Sequence, residues 1–96
     1  MKIEKETRGT DVILKLDGWL DTQTAPEFGA EIAALGDDVT SLTLDMEKLE
    51  YISSAGLRQV VSAYKKTENN FKIVNVSSEI MDVFKMTGFD KRLNIE

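Results

Sequence analysis

Two adjacent hydroxyls, Ser53 and Ser54 in "YISSAGLR", separate an apolar run from residues with helical spacing. A serine at such a junction has two uses. Its side-chain oxygen can accept a hydrogen bond from one of the unpaired N–H groups of the first helical turn. Alternatively its hydroxyl can take a phosphoryl group, because a helix N-terminus presents N–H donors and partial positive charge to an anion. Phosphate there would add about −1.5 to −2 charges. Its attraction to the helix end is worth about 0.3–1 kcal/mol when exposed, so the helix should survive modification. A partner protein would feel far more. At an effective dielectric of about 20, a unit charge about 6 Å from a partner's acidic residue is repelled by about 3 kcal/mol, around a hundredfold in affinity. By sequence position Ser54 is the expected cap, and the same hydroxyl could both cap and be modified. The other group of interest is Asp21 in "GWLDTQTAP". On its own it reads as a cap for the helix beginning near Thr24 or as a solvated carboxylate.

Little other chemistry is open to these 96 residues. With no histidine and no cysteine, there is no Ser-His-Asp triad, no thiol nucleophile and no zinc site of the usual composition. Asp37 and Asp38 form a doublet in "LGDDVT", the pattern of a solvated turn. No GxGxxG or GxxxxGK[ST] loop is present to cradle phosphates. Self-contained catalysis, a cofactor and a bound metal are therefore not expected. A net charge of −5 argues against nucleic acid, which needs clustered Lys and Arg, and against anionic membrane surfaces. No apolar run approaches the roughly 20 residues of a membrane span, and the N-terminus lacks the apolar stretch of a signal peptide. A cytoplasmic location is the expectation. Hydrophobic residues at 42% and charged residues at 30% indicate one globular domain over residues 1–96, held by packing rather than disulfides.

The elements that must position the serines follow from periodicity. In "DVILKLDGWLD", Val12, Leu14 and Leu16 alternate with Ile13, Lys15 and Asp17, which marks a strand. "KIEKET" alternates more weakly, and "TRGTD" supplies a hairpin turn. Thr24 and Glu27 have capping-box spacing with Pro26 in the first turn, and Phe28, Ile32 and Leu35 form an apolar stripe. Gly36 fits the helix stop. "SLTLDM" alternates as a strand through Leu42, Leu44 and Met46. Beyond Ser54, helical spacing places Leu57, Val60, Val61 and Tyr64 mainly in the core. Phe71 to Val76 reads as a buried strand, and Ser77 or Ser78 caps a last helix carrying Ile80, Val83 and Phe84 and ending at Gly88. The predicted fold is α/β, a small mixed sheet of about four strands flanked by helices.

"LTLDMEKLEYISSAGLR" closely resembles the signature of the STAS domain family, specifically the bacterial anti-sigma-factor antagonists. "GWLDTQTAPEF" looks like the family's Gly-x-apolar-Asp segment, and "FKIVNVSSEIMDVFKMTGFDKRLNI" resembles its closing strand and helix. The resemblance covers nearly the whole chain. It implies a non-enzymatic binding protein that is phosphorylated by an anti-sigma factor acting as an ATP-dependent serine kinase and is restored by a serine phosphatase. In the unmodified state such a protein binds the anti-sigma factor and frees a sigma factor. Aligned on Gly56 and Leu57, the phosphoacceptor falls on Ser54, with Ser53 the second candidate. The partner-facing surface would comprise Asp21, Thr22, Ser53, Ser54, Ala55, Gly56 and Arg58, and the free protein is expected to be a monomer. Two departures stand out. Ser53 occupies the position where antagonists often carry aspartate, and the further helix that many relatives carry after the segment matching "LNIE" is not in this sequence. The alternative reading is a STAS module that binds a small ligand or scaffolds a signalling complex without being phosphorylated. A carboxylate-based hydrolase has only scattered Asp and Glu behind it.

Overall fold

Alternation decides which way each strand faces. The computed structural model describes residues 1–96, the Glu68 side chain excepted. The chain runs through β1 (Lys2–Arg8), β2 (Asp11–Leu20), α1 (Ala25–Ala33), β3 (Ser41–Ile52), α2 (Ser54–Thr67), β4 (Phe71–Val74) and α3 (Ser78–Thr87). The strands form one four-stranded sheet in the order β1-β2-β3-β4. The β1–β2 hairpin is antiparallel, whereas β2–β3 and β3–β4 are parallel. This is the expected mixed sheet.

Register aligns the apolar positions into one face: Val12 opposes Leu42, Leu14 opposes Leu44, and Leu42 and Leu44 oppose Phe71 and Ile73. All of these are buried. The helices cover that face with Phe28 and Ile32 from α1, Leu57, Val60 and Ala63 from α2, and Ile80 and Phe84 from α3. Burying each large apolar side chain is worth about 1.5–3 kcal/mol relative to exposure. The opposite face, with Ile13, Lys15, Thr43 and Asp45, carries no helix and remains half-buried. Of the stripe expected for α2, Leu57 and Val60 are core, while Val61 and Tyr64 sit half-buried at its margin and Ala63 takes the inner position.

Several boundaries differ from the sequence expectation. β3 does not stop at Met46 but continues to Ile52, and its buried positions change from every second residue to Met46, Leu49 and Ile52. Register shifts relative to β2, between Lys15 and Asp17 and between Gly18 and Trp19, account for this. Each gives β3 one extra residue and turns the next apolar side chain back inward, the effect of a β-bulge. β4 ends at Val74, because Asn75 adopts a left-handed conformation with φ 59°. α1 closes at Ala33, with Ala34 as a right-handed C-cap, so Gly36 is not the helix stop. Ser77 rather than Ser78 caps α3, accepting the Ile80 N–H at 3.2 Å, and Gly88 at φ 78° ends that helix as expected. Past it, Ile95 bridges to Ile73 on the outer edge of β4. Among the described residues no helix is long and apolar enough to cross a membrane.

Candidate functional site

The two parallel strands β2 and β3 leave the sheet side by side. Trp19 pairs with Tyr51 and Leu20 with Ile52, so Asp21 and Ser53 are the first residues beyond matched strand ends. The Ser53 N–H donates to the Leu20 carbonyl at 2.9 Å, extending the ladder by one bond into the turn. α2 starts immediately afterwards and is pressed against the same carbonyl. A Cβ built on Gly56 would lie 2.7 Å from the Leu20 oxygen and 2.8 Å from its Cγ. Only a residue without a side chain lets the helix approach this closely.

The cap is Ser53, not Ser54. The Gly56 N–H donates to Ser53 Oγ at 3.2 Å, and the Leu57 N–H donates to the Ser53 carbonyl at 2.9 Å. That pairing is the N-cap geometry, and it makes Ser54 the first helical residue. The expectation that one hydroxyl would serve both purposes is corrected. Ser53 is half-buried and engaged, while Ser54 is exposed. Among the described residues no hydrogen bond involves the Ser54 hydroxyl.

Asp21 organises the other strand end. Its Oδ1 accepts the N–H groups of Gln23 at 2.9 Å and Thr24 at 3.0 Å, closing an Asx-type turn. The capping box expected at Thr24 does not form. Thr24 has helical dihedrals and no side-chain cap bond to α1. Its hydroxyl instead donates to the Trp19 carbonyl at 2.7 Å and accepts the Asp21 N–H at 2.9 Å, stitching the turn back onto β2. These donors, the Thr24 N–H foremost, hold the Asp21 carboxyl below its ordinary value of 3.8. Asp21 is therefore ionised at neutral pH. All of the carboxylate bonds above fall on Oδ1, and Oδ2 is not engaged by any described donor.

The expected partner-surface residues thus assemble at one end of the sheet, with different exposures. Thr22, Ser54 and Arg58 are exposed, and Asp21, Ser53 and Ala55 are half-buried. Gly56 is buried and serves the site by letting α2 dock, not by presenting a contact. Among the described residues no cluster of carboxylates could hold a metal ion. The arrangement offers an exposed, unbonded hydroxyl at the first turn of a helix, where N–H donors and partial positive charge favour an added phosphate.

Sequence reasoning passed over two neighbours. Trp19 and Tyr51 remain 56% and 45% exposed, with ring centroids 5.2 Å apart. The signal was present: "WLD" and "YIS" repeat one aromatic, apolar, polar pattern at the two matched strand ends.

The STAS domain family model matches residues 2–96. A Bordetella bronchiseptica protein named "Putative anti-sigma factor antagonist BtrV" is 30% identical over 93 residues, covering 93% of this chain and 80% of that protein. An anti-sigma factor antagonist from Mycobacterium paratuberculosis shares the fold with a TM-score of 0.86 at 24% identity, over 98% of this chain and 83% of that one. The Bacillus cell fate determinant SpoIIAA in its phosphorylated form gives a TM-score of 0.75 at 21% identity, over 99% and 91% of the two chains. The match from Lys2 to Glu96 places the chain in the STAS domain family.

Proposed function

We propose that the protein is an anti-sigma-factor antagonist switched by phosphorylation of Ser54. Unmodified, it binds an anti-sigma factor that is also a serine kinase, and so releases a sigma factor. The division of labour between the two serines carries this reading: Ser53 caps α2, which leaves the Ser54 hydroxyl exposed and unbonded. The name of the Bordetella relative and the phosphorylated state of the SpoIIAA structure support it.

The chemistry belongs to the kinase. The Ser54 oxygen attacks the γ-phosphorus of ATP, the bond to the β-phosphate oxygen breaks, ADP leaves, and the hydroxyl proton passes to a base on the kinase. The product carries about −1.5 to −2 charges at the first turn of α2, at the same end of the sheet as the ionised Asp21. Two neighbouring negative groups then oppose any acidic or apolar surface that the unmodified site accepted. A serine phosphatase hydrolyses the ester and resets the switch. The free protein is a monomer.

The test is incubation with the purified anti-sigma factor kinase of the same organism and ATP, followed by phosphopeptide mass spectrometry. Label is expected on Ser54 in the wild type and in Ser53→Ala, and none in Ser54→Ala. Full labelling of Ser54→Ala at Ser53 would overturn the assignment. Ser54→Asp should bind the unlabelling, ATP-free kinase at least tenfold more weakly than wild type, since about 1.4 kcal/mol of repulsion suffices.

A further inference from the structure

We infer that Trp19 and Tyr51 form an aromatic shelf on which the same kinase partner seats an arginine-bearing segment, so that recognition extends beyond the serine turn. The inference rests on the antagonist reading and adds to it the site and chemistry of a second contact.

Three observations point to this. The first is exposure. Trp19, Tyr51 and Met86 are the large apolar side chains left exposed among the described residues, and the two aromatic ones are neighbours. Their rings lie 5.2 Å apart, tilted by 40°, on strands locked in register. Such a pair presents rigid area at little entropic cost, the usual make-up of an interface anchor. The second is continuity. Leu20 separates Trp19 from Asp21, Ile52 separates Tyr51 from Ser53, and the Thr24 hydroxyl binds the Trp19 carbonyl itself at 2.7 Å. A protein large enough to cover Ser54 and Asp21 reaches the rings without a break.

The third observation is charge, and it selects the occupant. Asp17 lies two residues before Trp19 on the same face of β2, Glu50 is exposed beside Tyr51, and Asp21 follows. Lys48 stands opposite Asp17 in register, yet no ion pair among the described residues engages any of these carboxylates. An aromatic face with carboxylates beside it, none of them held in a described ion pair, suits a guanidinium, which stacks on a ring and donates in its plane to an acid. A second copy of this chain would bring the same acids against themselves.

Trp19 is the single tryptophan of the sequence, so 5-fluorotryptophan labelling gives one 19F resonance at the shelf. The experiment titrates the unphosphorylated, labelled protein with the purified kinase and measures Kd by calorimetry for wild type, Trp19→Ala, Trp19→Phe and Met86→Ala. The resonance is expected to move on binding, Trp19→Ala to weaken Kd about thirtyfold or more, Trp19→Phe to recover most of that loss, and Met86→Ala to bind as wild type. A resonance that stays put on kinase binding, or wild-type affinity in Trp19→Ala, overturns the shelf while leaving the Ser54 switch intact. Movement with concentration of the labelled protein alone would assign the face to a second copy and overturn it too. If the kinase neither binds nor labels the wild type, the antagonist reading falls and the shelf with it.

Discussion

The ends of β2 and β3 begin alike and then diverge. Each finishes with an exposed aromatic residue, a buried aliphatic residue and a polar residue, in matched register. Beyond β2, Asp21 commits one carboxylate oxygen to a turn that delays α1 until Ala25. Beyond β3 there is no delay, because α2 starts at Ser54 with its cap supplied by the residue just before it. One end is a polar turn that holds itself. The other is a helix start whose structural need is met by Ser53, so the next hydroxyl is left exposed and unbonded.

Substitutions at four positions would break or sharpen that contrast. The largest effect is expected for Gly56→Ala. Its new Cβ meets backbone at 2.7 Å, so α2 must lift from Leu20, at a cost of about 1–3 kcal/mol. Calorimetry should show Tm falling by about 4–8 °C per kcal/mol. An unchanged Tm would mean that the helix start tolerates displacement. Next comes Ser53→Ala, which removes the cap and should cost about 1 kcal/mol by urea unfolding.

Asp21 separates turn from charge. Asp21→Ala loses the acceptor for Gln23 and Thr24 and should lower Tm, whereas Asp21→Asn can keep a side-chain oxygen in that place. The folded carboxyl is held below 3.8, so its stabilising contribution is complete above that value and disappears as pH falls through the lower folded value. Melts across this acid range should therefore fall less steeply for Asp21→Asn than for wild type. In a phosphorylation time course at neutral pH, Asp21→Asn should be slower, because the free Oδ2 no longer offers a charge to the kinase. Identical time courses would leave Asp21 with its turn alone. Ser54→Ala should have the smallest effect on folding, within about 0.5 kcal/mol of wild type, since nothing described rests on its hydroxyl. Chemical unfolding of the two serine variants side by side reads the asymmetry directly.

The sequence made much of this visible. Strict alternation through Val12, Leu14 and Leu16, and through Leu42, Leu44 and Met46, marks two neighbouring strands whose inward faces coincide in the structure. The stripe Phe28–Ile32 and the pair Ile80–Phe84 likewise point inward. What stayed hidden depends on interactions of single hydrogen-bond length. The bulged half of β3 keeps its apolar face only by switching to every third residue, a spacing that imitates a helix or a loop. Whether Ser53 or Ser54 caps α2 turns on which oxygen reaches the Gly56 N–H, and sequence position cannot resolve one residue. At Thr24 the right letters for a capping box were outcompeted by a bond back to the Trp19 carbonyl.

The two outer borders of the sheet have a consequence for how the protein behaves when concentrated. Along β1, five of seven residues are charged: Lys2, Glu4, Lys5, Glu6 and Arg8. A foreign strand pairing there would have to set its own side chains against those ions. At the far border β4 is only four residues long, and both backbone groups of Ile73 are already bonded to Asn94 and Glu96. Neither border offers a template for polymerisation. The aromatic pair and the Ser54 hydroxyl can thus stay exposed without the sheet's own borders adding a route to edge-to-edge aggregation.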